Sequence, residues 1–396
     1  MMRIAALVMG LICCFACFSS SIAQEDAPRY KVDPFWPKPL PNNWMLGHCE
    51  TVVVDRDDNI WVAHFTGPMD RRVDHAMMGL AQMPPMSECC IPAPEVIQFD
   101  PEGNVLRAWG GPGYVPQWPE AIHAFWVDKN LNVWVAGNHA PDRNLLKFSA
   151  DGKLLLEIGR LDTPVGNYTA IRGELTTPDN QATDLLGGPA GITVDEKASE
   201  VYVGDGFINK RVVVFDSNTG KFKRGWGGYG IPLSEIPNTK MARNIVGTGR
   251  DREPFGAERS QFTGPVECVR ISNDGLVYVG DRDAGRIQVF TKEGRFVKEI
   301  FTGWDTPMGG WLASGFTFSR DPEQKYLIVT DGTNQCVRIL NRKDGSQVTR
   351  FGTFGKNAGQ FGSHLNWVDI DSKGNLYTLE VRYMDRAQKF VPVKEK

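Results

Sequence analysis

Hydrophobic and polar positions alternate with a period of two along Gly264–Phe290, and this stretch predicts the unit from which the chain is built. Val266–Ser272 reads as a strand, and Asn273-Asp274-Gly275 turns it into a second, Leu276–Gly280. Arg286–Phe290 is a third strand, and Lys292-Glu293-Gly294 leads into a fourth, Arg295–Phe301. Alternating Val, Ile and Tyr broken by Asp-Gly and Glu-Gly turns predict a four-stranded antiparallel meander. One such sheet leaves a face unburied, so copies of it must stack.

Six copies are present. Their third strands align as EVIQF, NLLKF, RVVVF, RIQVF, CVRIL and RAQKF, from Glu95–Phe99 to Arg386–Phe390. The first strands begin near Cys49, His123, Gly191, Val266, Gly315 and Trp367. This repetition predicts an all-β chain, a six-bladed β-propeller of four-stranded antiparallel blades over residues 45–396. Blade 6 has no clear fourth strand, and Arg29–Val32, in the lead-in 24–44, is expected to supply it and close the ring.

The order of connections sorts the loops. Short turns join first to second and third to fourth strands, on one end of the ring. The four insertions Thr66–Pro94, Gly110–Glu120, Gly159–Gly188 and Gly227–Gly264 all fall on the other. Long loops gathered on one end of a rigid scaffold mark the working face. The first strands, which line the channel, begin there.

Composition narrows the partners. The formal net charge of −3 over 396 residues leaves no basic excess for nucleic acid. Met1–Ala23, with Arg3, the apolar run Ile4–Phe18 and small residues at Ser21 and Ala23, reads as an export signal cleaved before Gln24. A periplasmic or extracellular protein without a membrane span follows. Cys49, Cys89 and Cys90 are then the expected disulfide formers, and Cys268 and Cys336, inside strands, the expected buried thiols.

Taken in register with His123, the first strands place Glu50, His123, Ala190, Glu267, Ser314 and Asn366 around the channel mouth. His123, Glu267 and Asn366 come from alternate blades and converge on the axis, a candidate site for a divalent metal, zinc or calcium. A second ring ends the second strands: His64, His139, Asp205, Asp281, Asp331 and Glu380. Its recurring Gly-Asp and Thr-Asp pairs read as side chains tied to backbone, whereas His64 and His139 depart from that repeat and, with Glu50, are candidates for catalysis. Arg143, Arg250 and Arg252 are candidates for binding a substrate carboxylate. His48 and His364 precede their blades and are placed to approach the mouth. The insertion Thr66–Pro94 carries Met69, Met77, Met78, Met83, Met86 and His75, an adaptable apolar lid or a copper-binding run.

Phe354-Gly355-Lys356-Asn357-Ala358-Gly359-Gln360-Phe361, followed by Val368–Tyr377 (VDIDSKGNLY), resembles the NHL repeat, and Gln261-Phe262 opens blade 4 in the same way. Within that superfamily the chain is most similar to secreted proteins related to peptidyl-α-hydroxyglycine α-amidating lyase. The resemblance implies zinc held by three His at the propeller mouth and cleavage of a carbinolamide to an amide and glyoxylate. His123 matches one of those His, and Glu267 and Asn366 stand in the other two places. Three functions stay open: a metal-dependent lyase or hydrolase acting on a small or peptide-like substrate, a non-catalytic propeller binding a ligand or protein partner, and a lactonase-like site of Glu50, Asn366 and Asp281.

Overall fold

The computed structural model describes residues 27–66, 91–139, 142–161, 178–239, 261–303, 306, 310–362, 364–381 and 384–393. Six four-stranded antiparallel sheets make up the ring. Blade 1 is built from His48–Val54, Ile60–Phe65, Val96–Phe99 and Val105–Trp109, and blade 2 from Ile122–Val127, Val133–Gly137, Asp142–Phe148 and Leu154–Leu161. Blade 4 is Val266–Ile271, Val277–Asp281, Arg286–Phe290 and Phe296–Phe301, close to the predicted template. The first strands of successive blades pack side by side around the channel.

The expected closure is present. Tyr30–Asp33 pairs antiparallel with Arg386–Pro392, so blade 6 takes its outer strand from the other end of the chain. Just beyond this strand, Trp36 is buried against the rings of Phe99 and Tyr377, wedging blade 1 to blade 6. The cores lie between blades: Trp61, Phe125 and Phe148 belong to one cluster, Trp134, Ile192 and Phe215 to the next. Each such ring takes roughly 150–250 Å² out of water, and these layers supply most of the cohesion.

The turn end is sealed by a repeated aspartate. Asp55 Oδ1 accepts the N–H groups of Asp57 and Asn59, and its Oδ2 accepts Trp61 Nε1–H. Asp128 does the same with Asn130, Asn132 and Trp134, and Asp371 with Lys373, Asn375 and the Tyr377 hydroxyl. A cavity of about 440 Å³ opens at this end between Trp126, Arg270 and Asp369.

Two sequence expectations need correction or restriction. Cys49 is a buried free thiol whose Sγ–H donates to the Gly47 carbonyl, not half of a disulfide; it packs inside the first strand of blade 1. Cys268 and Cys336 are buried thiols as expected. The export signal, the Met-rich run, Cys89 and Cys90 lie outside the described residues.

Candidate active site at the channel mouth

Five of the six mouth residues sit on β-bulges. Antiparallel register slips between Cys49 and Thr51, between Ile122 and Ala124, between Pro189 and Gly191, between Val266 and Val269, and between Leu365 and Trp367. The skipped residues include Glu50, His123, Ala190, Glu267 and Asn366, five of the six predicted members. A bulge leaves its extra residue outside the ladder and re-aims the side chain. The same local defect, repeated in five of the six blades, therefore turns one side chain in each of them into the channel.

These side chains form a connected polar line. His123 Nε2 lies 3.5 Å from Glu50 Oε2 and 3.4 Å from Glu267 Oε1. Its Nδ1 lies 3.3 Å from the Ala190 carbonyl oxygen, an acceptor for an Nδ1–H. Asn366 donates Nδ2–H to the backbone oxygen of Glu50 at 2.9 Å and to its Oε2 at 3.3 Å. At the other end, Arg282 Nη1 donates to both Glu267 oxygens, at 3.2 and 3.4 Å, and its Nε–H donates to Asp283 Oδ1 at 2.8 Å. Burial pushes Asp283 up to about 6 against the opposing pull of Arg282. Asn366 Oδ1 and Ser314 Oγ are buried without a hydrogen-bond partner among the described residues, polar capacity left for a bound molecule.

Aromatic rings frame the line. The His123 ring meets Phe207 edge-on at 4.7 Å. The Arg282 guanidinium lies 4.0 Å over Trp311 and 5.7 Å from the Phe207 centroid, and Trp311 in turn packs on His364 at 4.4 Å. His364 thus reaches the mouth through Trp311, while His48 packs on Phe65.

The second ring behaves as its repeat suggested. Asp205 accepts Gly187 N–H and Arg211 Nε–H, Asp281 accepts Thr263 and Gly264 N–H and Arg286 Nε–H, and Glu380 accepts Gly362 N–H and Arg386 Nε–H. Each ties the segment entering the blade to the third strand. His64, expected to meet a ligand, does the same work: its Nδ1 accepts Gly47 N–H, and its Nε2–H donates to the Pro94 carbonyl. Burial pushes it down to about 4, so it is a neutral scaffold group with no lone pair to spare for catalysis. In blade 2 the tie is Asp142, which accepts the N–H groups of Glu120, Ala121 and His139. His139 Nδ1 faces Glu120 Oε2 at 3.8 Å, and Arg143 donates Nε–H to the Leu186 carbonyl. Arg250 and Arg252 lie outside the described residues.

Arg282 and Trp311 were not anticipated. A signal for Arg282 exists: the residue after the strand-end aspartate is Gly206 in blade 3 and Gly332 in blade 5, but Arg282 in blade 4. A Cβ at Gly206 would meet Val266 N at 2.1 Å, and one at Gly332 would meet the Leu365 carbonyl at 2.8 Å. Blade 4 alone among the three makes room for a side chain there.

The residues fit a metal poorly. Glu267, one of the three expected ligands, spends both oxygens on a guanidinium, which would repel a dication beside it. Among the described residues, no group of three or more His, Cys, Asp and Glu has an arrangement that could hold a metal ion.

No protein-family model matches the chain. Peptidyl-glycine alpha-amidating monooxygenase B of Xenopus laevis is 26% identical over 253 residues, which are 63% of this chain and 22% of that protein. The chain therefore spans only a small part of that relative. NHL repeat-containing protein 3 of Mus musculus is 24% identical over 311 residues, 76% of this chain and 73% of that one. Among solved structures, a streptogramin B lyase superposes with a TM-score of 0.51 at 12% identity, covering 92% of this chain and 98% of that one, a likeness of fold. With six four-stranded sheets and these relatives, the chain is a six-bladed propeller that resembles NHL repeat-containing proteins and the amidating enzymes.

Proposed function

We propose that this six-bladed propeller is a lyase whose reacting centre is the loop-side channel mouth. One observation carries the reading: a single imidazole nitrogen of His123 faces two carboxylates, from two other blades, at 3.4 and 3.5 Å. A scaffold ion pair needs one carboxylate. Two carboxylates on one nitrogen make a line along which a proton can be held and moved. Glu50, with 9% of its side chain exposed against 3% for His123 and none for Glu267, is the member that meets the channel.

The substrate class we propose is a peptide-like carbinolamide, the class that the resemblance to the amidating lyases implies. Glu50 takes the hydroxyl proton, the oxygen's electron pair closes to a carbonyl, and the C–N bond breaks with its electrons going to nitrogen. The same proton then passes from Glu50 to that nitrogen, leaving an amide and an aldehyde, so atoms and charge balance. His123 positions Glu50, and Glu267 faces the same imidazole nitrogen from another blade. No step is routed through a metal. Placement outside the cytoplasm, in the periplasm or beyond, belongs to the same proposal.

The test is product release. Purified chain incubated with a peptidyl-α-hydroxyglycine should liberate glyoxylate in proportion to enzyme, well above the spontaneous rate. Glyoxylate at the spontaneous rate, from protein that calorimetry shows to bind the peptide, would replace this reading with that of a binding propeller.

A further inference from the structure

We infer that the Arg282 guanidinium is a built-in cation that takes the place of a divalent metal at the channel mouth. Three carboxylates, Glu50, Glu267 and Asp283, and one imidazole, His123, are drawn together there. Such a gathering of buried anionic oxygens needs positive charge. Arg282 supplies it: Nη1 spans both oxygens of the carboxylate that faces His123, and Nε holds Asp283. The guanidinium is fixed in place by Trp311 at 4.0 Å and by Phe207, the same ring that steadies His123. Arg282 is 6% exposed, so the charge is interior and not a surface side chain that folded in by chance. Blades 3 and 5 have glycine at the corresponding position, where backbone of the next blade leaves no room for a Cβ.

Without the guanidinium, Glu267, Glu50 and His123 Nε2 would face one another with one positive charge fewer, beside Asn366 Oδ1, which has no hydrogen-bond partner among the described residues. Glu267, no longer held by the guanidinium, is then free of that contact to turn toward His123 Nε2, and two carboxylates and an imidazole that close in this way are a donor set for a divalent ion of the first transition row. Arg282 therefore decides that the mouth works without a metal. The inference deepens the lyase reading, but its test involves no substrate, so the two fail separately.

Zinc alone is titrated calorimetrically into the full chain as wild type, H123A, R282M, R282K and the double variant R282M/H123A, each checked for its melting transition. Methionine keeps the packing on Trp311 and drops the charge; lysine keeps the charge. The wild type and R282K should show no zinc uptake that depends on His123. R282M should gain one equivalent, held about 100-fold more tightly than by R282M/H123A. Zinc bound by the wild type and lost in H123A would overturn the inference, as would a folded R282M that gains none. Should R282M not fold, the wild type against H123A still decides.

Discussion

His64 and Asp205 solve one problem with opposite chemistry. Each ties the segment entering a blade to the end of the second strand, Asp205 as a buried carboxylate beside Arg211 and His64 as a buried neutral imidazole between two backbone groups. The difference shows with pH. His64 is pushed from 6.5 down to about 4, so between those values the unfolded chain binds the extra proton. Its stabilising contribution is full above pH 6.5 and is lost as pH falls toward 4, by about 3 kcal/mol at most. Denaturant titrations of wild type and His64→Asn from pH 7.5 to 4 should give a difference that is largest at neutral pH and shrinks as acid is added; a constant difference would refute the neutral assignment. Asp205→Asn weakens the partner of Arg211, which is fully buried, and should cost about 3–5 kcal/mol in the same measurement. Of these residues the aspartates were legible, because a repeated side chain at a strand end advertises a structural tie. His64 was misread because its departure from the repeat looked like function, and imidazole's ability to both accept and donate to backbone makes it a substitute instead. Arg282 was illegible until the blades were superposed, since its meaning lies in the glycines it replaces.

Strands and turns were open to prediction at the level of the element because period-two alternation and Gly-bearing turns are local signals. The closing strand also followed from an arithmetic of missing partners: five complete blades, one short blade and one spare extended segment. The bulges did not, because one residue outside the ladder leaves the alternation of a six-residue strand almost intact. Register by homologous position still reached Glu50, His123, Glu267 and Asn366, since the bulge recurs at the same place in five blades. Closure carries a prediction. A chain beginning after Asp33 lacks the strand paired to Arg386–Pro392 and exposes that edge. Its melting temperature should fall, and it should associate with itself at concentrations where the whole chain is monodisperse by light scattering. Trp36→Ala keeps the strand but empties the wedge between blades 1 and 6, at about 3–5 kcal/mol, without promoting association. Equal association by both variants would locate the seal in the tryptophan and not in the strand.

The whole molecule explains why no compact motif announces the site. Glu50, His123, Glu267 and Asn366 come from blades 1, 2, 4 and 6, with Arg282 and Trp311 from the links around blade 4, and only ring closure brings them together. A ring whose blades pack through buried aromatic layers holds such a constellation with little freedom to adjust, which suits a centre that must keep a carboxylate, an imidazole and a second carboxylate in line. The most direct test compares two substitutions in one assay of glyoxylate release from a peptidyl-α-hydroxyglycine, with folding verified for both. Glu50→Gln, which removes the proposed proton acceptor and keeps its shape, should lower kcat by about 100-fold or more with KM little changed, while His64→Asn at neutral pH should lose stability but keep kcat. A Glu50→Gln enzyme as fast as wild type would contradict the assignment of the channel mouth as the reacting centre.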